Sequence, residues 1–97
     1  MTEKEAKKEL MSRANELVPT VHVGKEGIDE GLLNEINTQL KKARLIKVRI
    51  LNTVDMEPKD VAEELATSTN SVVVDVRGNV VVLADKRTWS SLSQKKF

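Results

Sequence analysis

The sequence predicts a single α/β domain in which helix, strand, helix, strand, helix and two closing strands follow one another, with four strands forming one mixed sheet. Three observations lead there. Apolar residues recur at helical spacing in three separate segments. Short β-branched runs alternate with those segments, and such strand–helix–strand units favour parallel crossovers. The last two runs are joined by Gly78-Asn79, a hairpin signal that adds an antiparallel pair. At 97 residues the chain fits one domain, with no linker and no internal repeat.

Thr2 to Leu17 reads as an amphipathic helix, because Ala6, Leu10, Ala14 and Leu17 share a stripe that Lys4, Lys7, Lys8 and Arg13 avoid. Thr2 and Glu5 form the Thr-x-x-Glu capping box, and Pro19 stops the helix. Thr20 to Val23 is a short strand ended by Gly24. A second helix runs from Asp29, its expected N-cap, to Ala43, with Leu32, Ile36, Leu40 and Ala43 as its apolar stripe. Leu45 to Leu51 alternates as a strand, Ile46, Val48 and Ile50 on one face, Lys47 and Arg49 on the other. Pro58 suits the first turn of a third helix, reaching Ser68 and burying Val61, Ala62, Leu65 and Ala66. Ser71 to Val76 and Val80 to Leu83 make the hairpin, and Ser90 to Phe97 reads as a loose basic tail beyond a core of about residues 10 to 87.

Composition narrows the function. Aromatic residues are only 2% of the chain, Trp89 and Phe97, so the core is aliphatic and sheet aromatics for base stacking are missing. Without cysteine there is no disulfide, thiolate nucleophile or zinc knuckle. The charged N-terminal stretch has no apolar h-region and no run is long enough to span a bilayer, so a cytoplasmic protein without a membrane partner is expected. His22 is the one histidine and has no triad or metal-ligand spacing around it; no catalysis, metal, cofactor or small-molecule substrate is expected. Asp60, Glu63 and Glu64 are explained by a solvated helix face, and Trp89 by packing at the domain edge.

Two features carry chemistry. In Gly24-Lys25-Glu26-Gly27, between a strand and a helix start, two glycines let the backbone approach a ligand, the helix contributes free amides, and Lys25 a mobile charge. A tight strand-to-helix turn accounts for the same four residues, and Glu26 and Asp29 place negative charge where a phosphate would sit. The second feature is Lys41, Lys42, Arg44, Lys47 and Arg49, a run of cations without an acid. Lys41 and Lys42 complement a helix dipole, whereas Lys47 and Arg49 share a strand face that is either solvated or paired with an anion. Arg77, Lys86, Arg87, Lys95 and Lys96 make the C-terminal part basic, while Glu57, Asp60, Glu63 and Glu64 crowd the third helix. A chain of net charge +1 is thus polarised, which favours phosphate backbone on its basic side.

The stretch from Leu10 to Ile28, with Leu17-Val18-Pro19 and Val23-Gly24-Lys25-Glu26-Gly27-Ile28, resembles the opening of the CRM domain (chloroplast RNA splicing and ribosome maturation), whose stand-alone prokaryotic members are called YhbY-like. Ala43 to Arg49 resembles that family's Glu-Leu-Ile-Lys-Val-Lys strand, and Arg77 to Leu83 its last hairpin. The resemblance implies a fold similar to the C-terminal domain of translation initiation factor three. It implies non-catalytic RNA binding through the glycine loop and adjacent basic surface, and a role in large ribosomal subunit assembly. Gly24, Lys25 and Gly27 take the loop positions and Lys47 the strand lysine. Arg44 replaces a usual glutamate, Asp29 a usual threonine, and Ala84-Asp85 stands where Leu is usually followed by Tyr-Arg.

The leading expectation is therefore a monomeric RNA-binding protein that contacts precursor ribosomal RNA of the large subunit. Gly24, Lys25, Glu26 and Gly27 form its loop site, and Arg13, Lys41, Lys42, Arg44 and Lys47 widen the footprint. Two alternatives stand beside it: an Alba-like general nucleic-acid (chromatin) protein, and a protein-interaction adaptor working through the acidic third helix.

Overall fold

The computed structural model of the chain describes residues 2–24, 27–51 and 56–93, with the side chains of residues 92 and 93 excepted. Helix α1 (Glu3–Ala14) opens on the expected capping box. The Thr2 amide donates to the Glu5 carboxylate at 3.0 Å, and the Glu5 amide donates to the Thr2 hydroxyl at 3.2 Å. Ala6, Leu10 and Ala14 are fully buried. The helix stops before the expected Leu17, which instead lies in the connector with Val18, its amide donating to the Ala14 carbonyl at 2.9 Å, and is 37% exposed.

Strand β1 (Val21–Val23) is followed by helix α2 (Glu30–Ala43), where Asp29 accepts the Leu32 amide at 2.8 Å as the N-cap. Ile36 and Leu40 are buried and Leu32 is half-buried, while Ala43 is exposed at the end of the stripe. Strand β2 (Leu45–Ile50) starts after a single intervening residue, and helix α3 (Pro58–Ser68) has Pro58 in its first turn as expected. Strands β3 (Ser71–Arg77) and β4 (Val80–Asp85) are joined at Gly78, which takes φ 56° as the hairpin turn requires. The expected order is extended by helix α4 (Lys86–Ser93), which includes the first residues of the segment read as a loose tail. Trp89, on α4, is half-buried against Leu10, Ala14 and their neighbours, the edge packing expected of it. Residues 94–97, with Lys95 and Lys96, lie outside the described residues.

The four strands form one mixed sheet in the order β1-β2-β4-β3, β1 parallel to β2 and both other pairs antiparallel. Alternation along the strands builds two apolar layers. On one face Val21, Val23, Ile46, Val48, Ile50, Val81 and Leu83 pack under Ile36 and Leu40 of α2 and Val61 and Leu65 of α3. On the other, Leu45, Val74, Val82 and Ala84 pack under Leu10 and Ala14 of α1, with Trp89 of α4 at the edge. A bulge in β3 sets Val74 as an extra residue between the Val73–Leu83 and Asp75–Val82 pairs, so Val74 and Asp75 both point toward α1. Truncating a fully buried side chain such as Leu65 to alanine removes about 2–5 kcal/mol.

One connection is strained. Arg44 caps α2 with φ 69°, its amide donating to the Leu40 carbonyl at 2.9 Å. Left-handed geometry costs a residue bearing a Cβ about 1 kcal/mol, and glycine or asparagine is its usual occupant at a helix end.

Candidate nucleic-acid interface

The parallel pairing of β1 with β2 and the antiparallel pairing of β2 with β4 bring the end of β1, the end of β2 and the β3–β4 hairpin to one end of the sheet. Val23 pairs with Ile50 there, and the Leu51 amide donates to the Val23 carbonyl at 2.9 Å. The Ile50 amide donates to the Asn79 carbonyl at 2.7 Å, which ties in the β3–β4 hairpin. The glycine loop leaves from the same end. Its flanks close a turn in which the Gly27 amide donates to the Gly24 carbonyl at 2.9 Å. Gly27 has φ 75°, the left-handed region that favours glycine, whereas a Cβ on Gly24 would meet only Leu51 Cδ1 at 3.6 Å. Lys25 and Glu26 lie outside the described residues. Asp29 already accepts an amide at the start of α2, so part of the helix terminus offered to a phosphate by sequence reasoning is occupied.

Register sets a row of side chains beside this loop. His22 pairs with Arg49, Arg49 with Val80, and Val80 with Arg77, one residue from each strand. All four alternate against neighbours buried under α2 and α3, so they point to the α1 side. At about 4.8 Å between strands the row is about 14 Å long. Helix α1 does not cover it: His22, Arg49 and Arg77 are exposed. The row continues into an open groove of about 530 Å³ along one flank of α1, lined by Lys4, Lys7, Lys8, Ser12, Asn15, Asp75 and Arg77 among others.

Asp75 organises the join between row and groove. Its carboxylate accepts from Arg77 Nε at 2.9 Å and from the Val76 amide at 2.9 Å, and Lys7 Nζ lies 3.9 Å away. Burial pushes the carboxyl upward, but the Arg77 and Val76 hydrogen bonds with the Lys7 and Arg77 charges outweigh it and hold Asp75 below its ordinary value. Asp75 therefore stays ionised at neutral pH and fixes one edge of the Arg77 guanidinium, while the Arg77 side chain remains 69% exposed.

The other expected residues separate into two places. Arg13 and Arg44 sit at the far end of the sheet, one β2 length from the loop: six residues, or about 20 Å. Lys41 and Lys42 are exposed on the last turn of α2. Lys47 is half-buried between the two ends, and its ammonium donates to the Leu17 carbonyl at 3.1 Å, holding the connector that follows α1. Lys42 and Lys47 also border a small apolar cleft of about 150 Å³ with Leu17 and Val18. Sequence reasoning thus placed loop and cations in one patch that the fold divides. It gave His22 no binding role, counted Arg49 in the cation run but not in the footprint, and left Arg77 open, because their common row exists only once the strand pairing is known. Among the described residues no group of three or more His, Asp or Glu is placed to hold a metal, and no helix is long and apolar enough to cross a membrane.

Comparison with known proteins agrees with this architecture. The family model for the CRS1/YhbY (CRM) domain matches residues 1–84. The chain is 36% identical over 77 residues to the Bacillus subtilis protein named "Probable RNA-binding protein YqeI", spanning 79% of this chain and 80% of that one. It is 37% identical over 93 residues to "Probable RNA-binding protein MJ0652" of Methanocaldococcus jannaschii, spanning 93% and 69%. The solution structure of the hypothetical protein SAV1595 from Staphylococcus aureus shares the fold with a TM-score of 0.73 and 33% identity, over 88% of each chain.

Proposed function

The chain belongs to the CRS1/YhbY (CRM) domain family, and on that premise we propose that it is a non-catalytic RNA-binding protein acting in the cytoplasm on ribosomal RNA during large-subunit assembly. The observation that carries the reading is the uncovered row of His22, Arg49 and Arg77 beside the glycine loop. One oriented arginine, one free to adjust and a backbone turn suit a sugar-phosphate chain. Arg77 is oriented by Asp75 and Arg49 is exposed with no ion pair among the described residues, so both can meet phosphate oxygens. The loop supplies close backbone approach and Lys25 a further charge. Lys4, Lys7 and Lys8 extend the positive field along the α1 groove. The acidic residues Asp60, Glu63 and Glu64 belong to α3, on the opposite layer, and repel RNA from that side.

Such a surface holds backbone and reads shape. The row holds no Phe, Tyr or Trp, and the exposed His22 imidazole is its one ring on which an unpaired base could stack, so most of the specificity comes from the fold of the RNA. Ultraviolet crosslinking in living cells, followed by sequencing of RNA bound to the full chain, tests the proposal. Enrichment of large-subunit ribosomal RNA is the expected result. Recovery of no RNA above an untagged control refutes RNA binding, and enrichment of other RNAs alone refutes the ribosomal assignment.

A further inference from the structure

At the end of the sheet away from the glycine loop, three arginines from distant parts of the chain converge. Arg13 of α1, Arg44 at the α2–β2 junction and Arg87 of α4 line one open cavity of about 330 Å³, with Thr88 and Ser91 completing its wall. The convergence is built by the backbone. The Asp85 amide donates to the Arg44 carbonyl at 2.8 Å, which ties the start of α4 to the α2–β2 junction, and the Lys86 amide donates to the Asn70 carbonyl at 3.1 Å, which ties it to the α3–β3 turn. Trp89 packs the same helix against α1.

Three guanidinium groups around one cavity repel each other, and the carboxylates nearby relieve this only in part. Glu9 meets Arg13 at 3.2 Å, but the two side chains are 42% and 55% exposed, a pair that water screens. Asp85 reaches Arg44 only at 3.8 Å. Arg87 makes no ion pair among the described residues. A second observation is independent of charge. Arg44 occupies the left-handed position at the end of α2, where glycine or asparagine would relieve the strain.

We propose that this cavity is a second anion site, which takes a phosphodiester of the RNA backbone between the forked donors of Arg13, Arg44 and Arg87 with the Thr88 and Ser91 hydroxyls at its side. The assignment of RNA as the source of the phosphate rests on the proposed function above. Separated from the loop by about 20 Å, the two sites hold one RNA at two points and set its direction across the α1 face. Planar guanidinium groups suit this role because each can offer two parallel N–H donors to one phosphate.

The test titrates inorganic phosphate, and in parallel a labelled hairpin RNA, into the full chain and its Arg44→Gly, Arg87→Gln and Gly24→Asp/Gly27→Asp variants. Phosphate binding is followed by the amide resonances of Arg87 to Ser91 and by the fluorescence of Trp89, the one tryptophan. Saturable shifts are expected in the parent and in the loop variant and are lost in both arginine variants. Each arginine variant weakens RNA binding about 4- to 5-fold at 0.15 M salt, from one lost phosphate contact. Arg44→Gly must do so while its melting temperature holds or rises, which separates lost binding from lost folding. Absence of phosphate shifts in the parent, or unchanged RNA affinity in both arginine variants, overturns the proposal. A parent that binds phosphate here but no RNA refutes the functional reading and assigns the cavity to a free phosphorylated ligand instead. Loss of RNA binding in the loop variant alone refutes the second site and leaves the first.

Discussion

Replacing Arg49 and Arg77 together by glutamine removes two cations from the row while leaving the apolar layers untouched. Arg49 is exposed and Arg77 has a side chain 69% exposed, so the fold loses only the surface contact between Arg77 and Asp75, worth under about 1 kcal/mol. The effect on RNA is larger and can be worked out. Each phosphate contact contributes roughly 0.7–0.9 to the slope of log K against log salt, because neutralising a phosphate releases a counterion. Two lost contacts make the slope shallower by roughly 1.4–1.8. At 0.15 M salt that is about 4- to 5-fold per contact, or about 16- to 25-fold for the pair. Fluorescence anisotropy of a labelled hairpin RNA at four or five potassium chloride concentrations measures both quantities. A double variant with the parent's slope and affinity refutes the claim that the row meets phosphate, whatever the loop does.

Further consequences follow from the loop, the acid and the connector. Gly27→Ala lowers stability by about 1 kcal/mol because φ 75° disfavours a Cβ, while Gly24→Ala is near neutral; urea unfolding of the two variants checks the order. Asp75 has a folded pKa below the unfolded value of about 3.9, so its contribution is present above that value and is lost as pH falls through the folded one. Acid unfolding of Asp75→Asn therefore shows a shallower loss of stability below about pH 4 than the parent, and identical curves would contradict the pairing with Arg77. Lys47→Met breaks the bond to the Leu17 carbonyl and costs about 1–2 kcal/mol, with protection of the connector amides at residues 15–20 falling in hydrogen exchange.

Local signals carried most of the fold. The Thr2–Glu5 capping box, the Asp29 cap, Pro58 in the first turn of α3 and the Gly78-Asn79 hairpin each act within a few residues, so spacing alone reveals them. Helix α4 gave no such signal, because Lys86–Ser93 is mostly polar and owes its place to Trp89 docking on residues far away in sequence. Arg44 shows the same limit at a single residue. Nothing between Ala43 and Leu45 announces a left-handed cap, which is imposed by joining a helix to a strand in one step. The glycine loop was visible as a motif, but its neighbours were not. Alternation puts Arg49 on a face, whereas only pairing to β1 and β4 sets it between His22 and the Val80–Arg77 pair. The same pairing moves Arg13 and Arg44 to the opposite end, turning one expected patch into two.

Amide chemical-shift mapping of the isotopically labelled chain, titrated with a hairpin RNA from the large ribosomal subunit, tests the central claim most directly. RNA bound on the α1 face shifts His22, Gly24, Gly27, Arg49 and Arg77 and leaves Asp60, Glu63 and Glu64 on α3 unmoved. Shifts centred on α3, with the His22–Arg49–Arg77 row silent, would contradict the account.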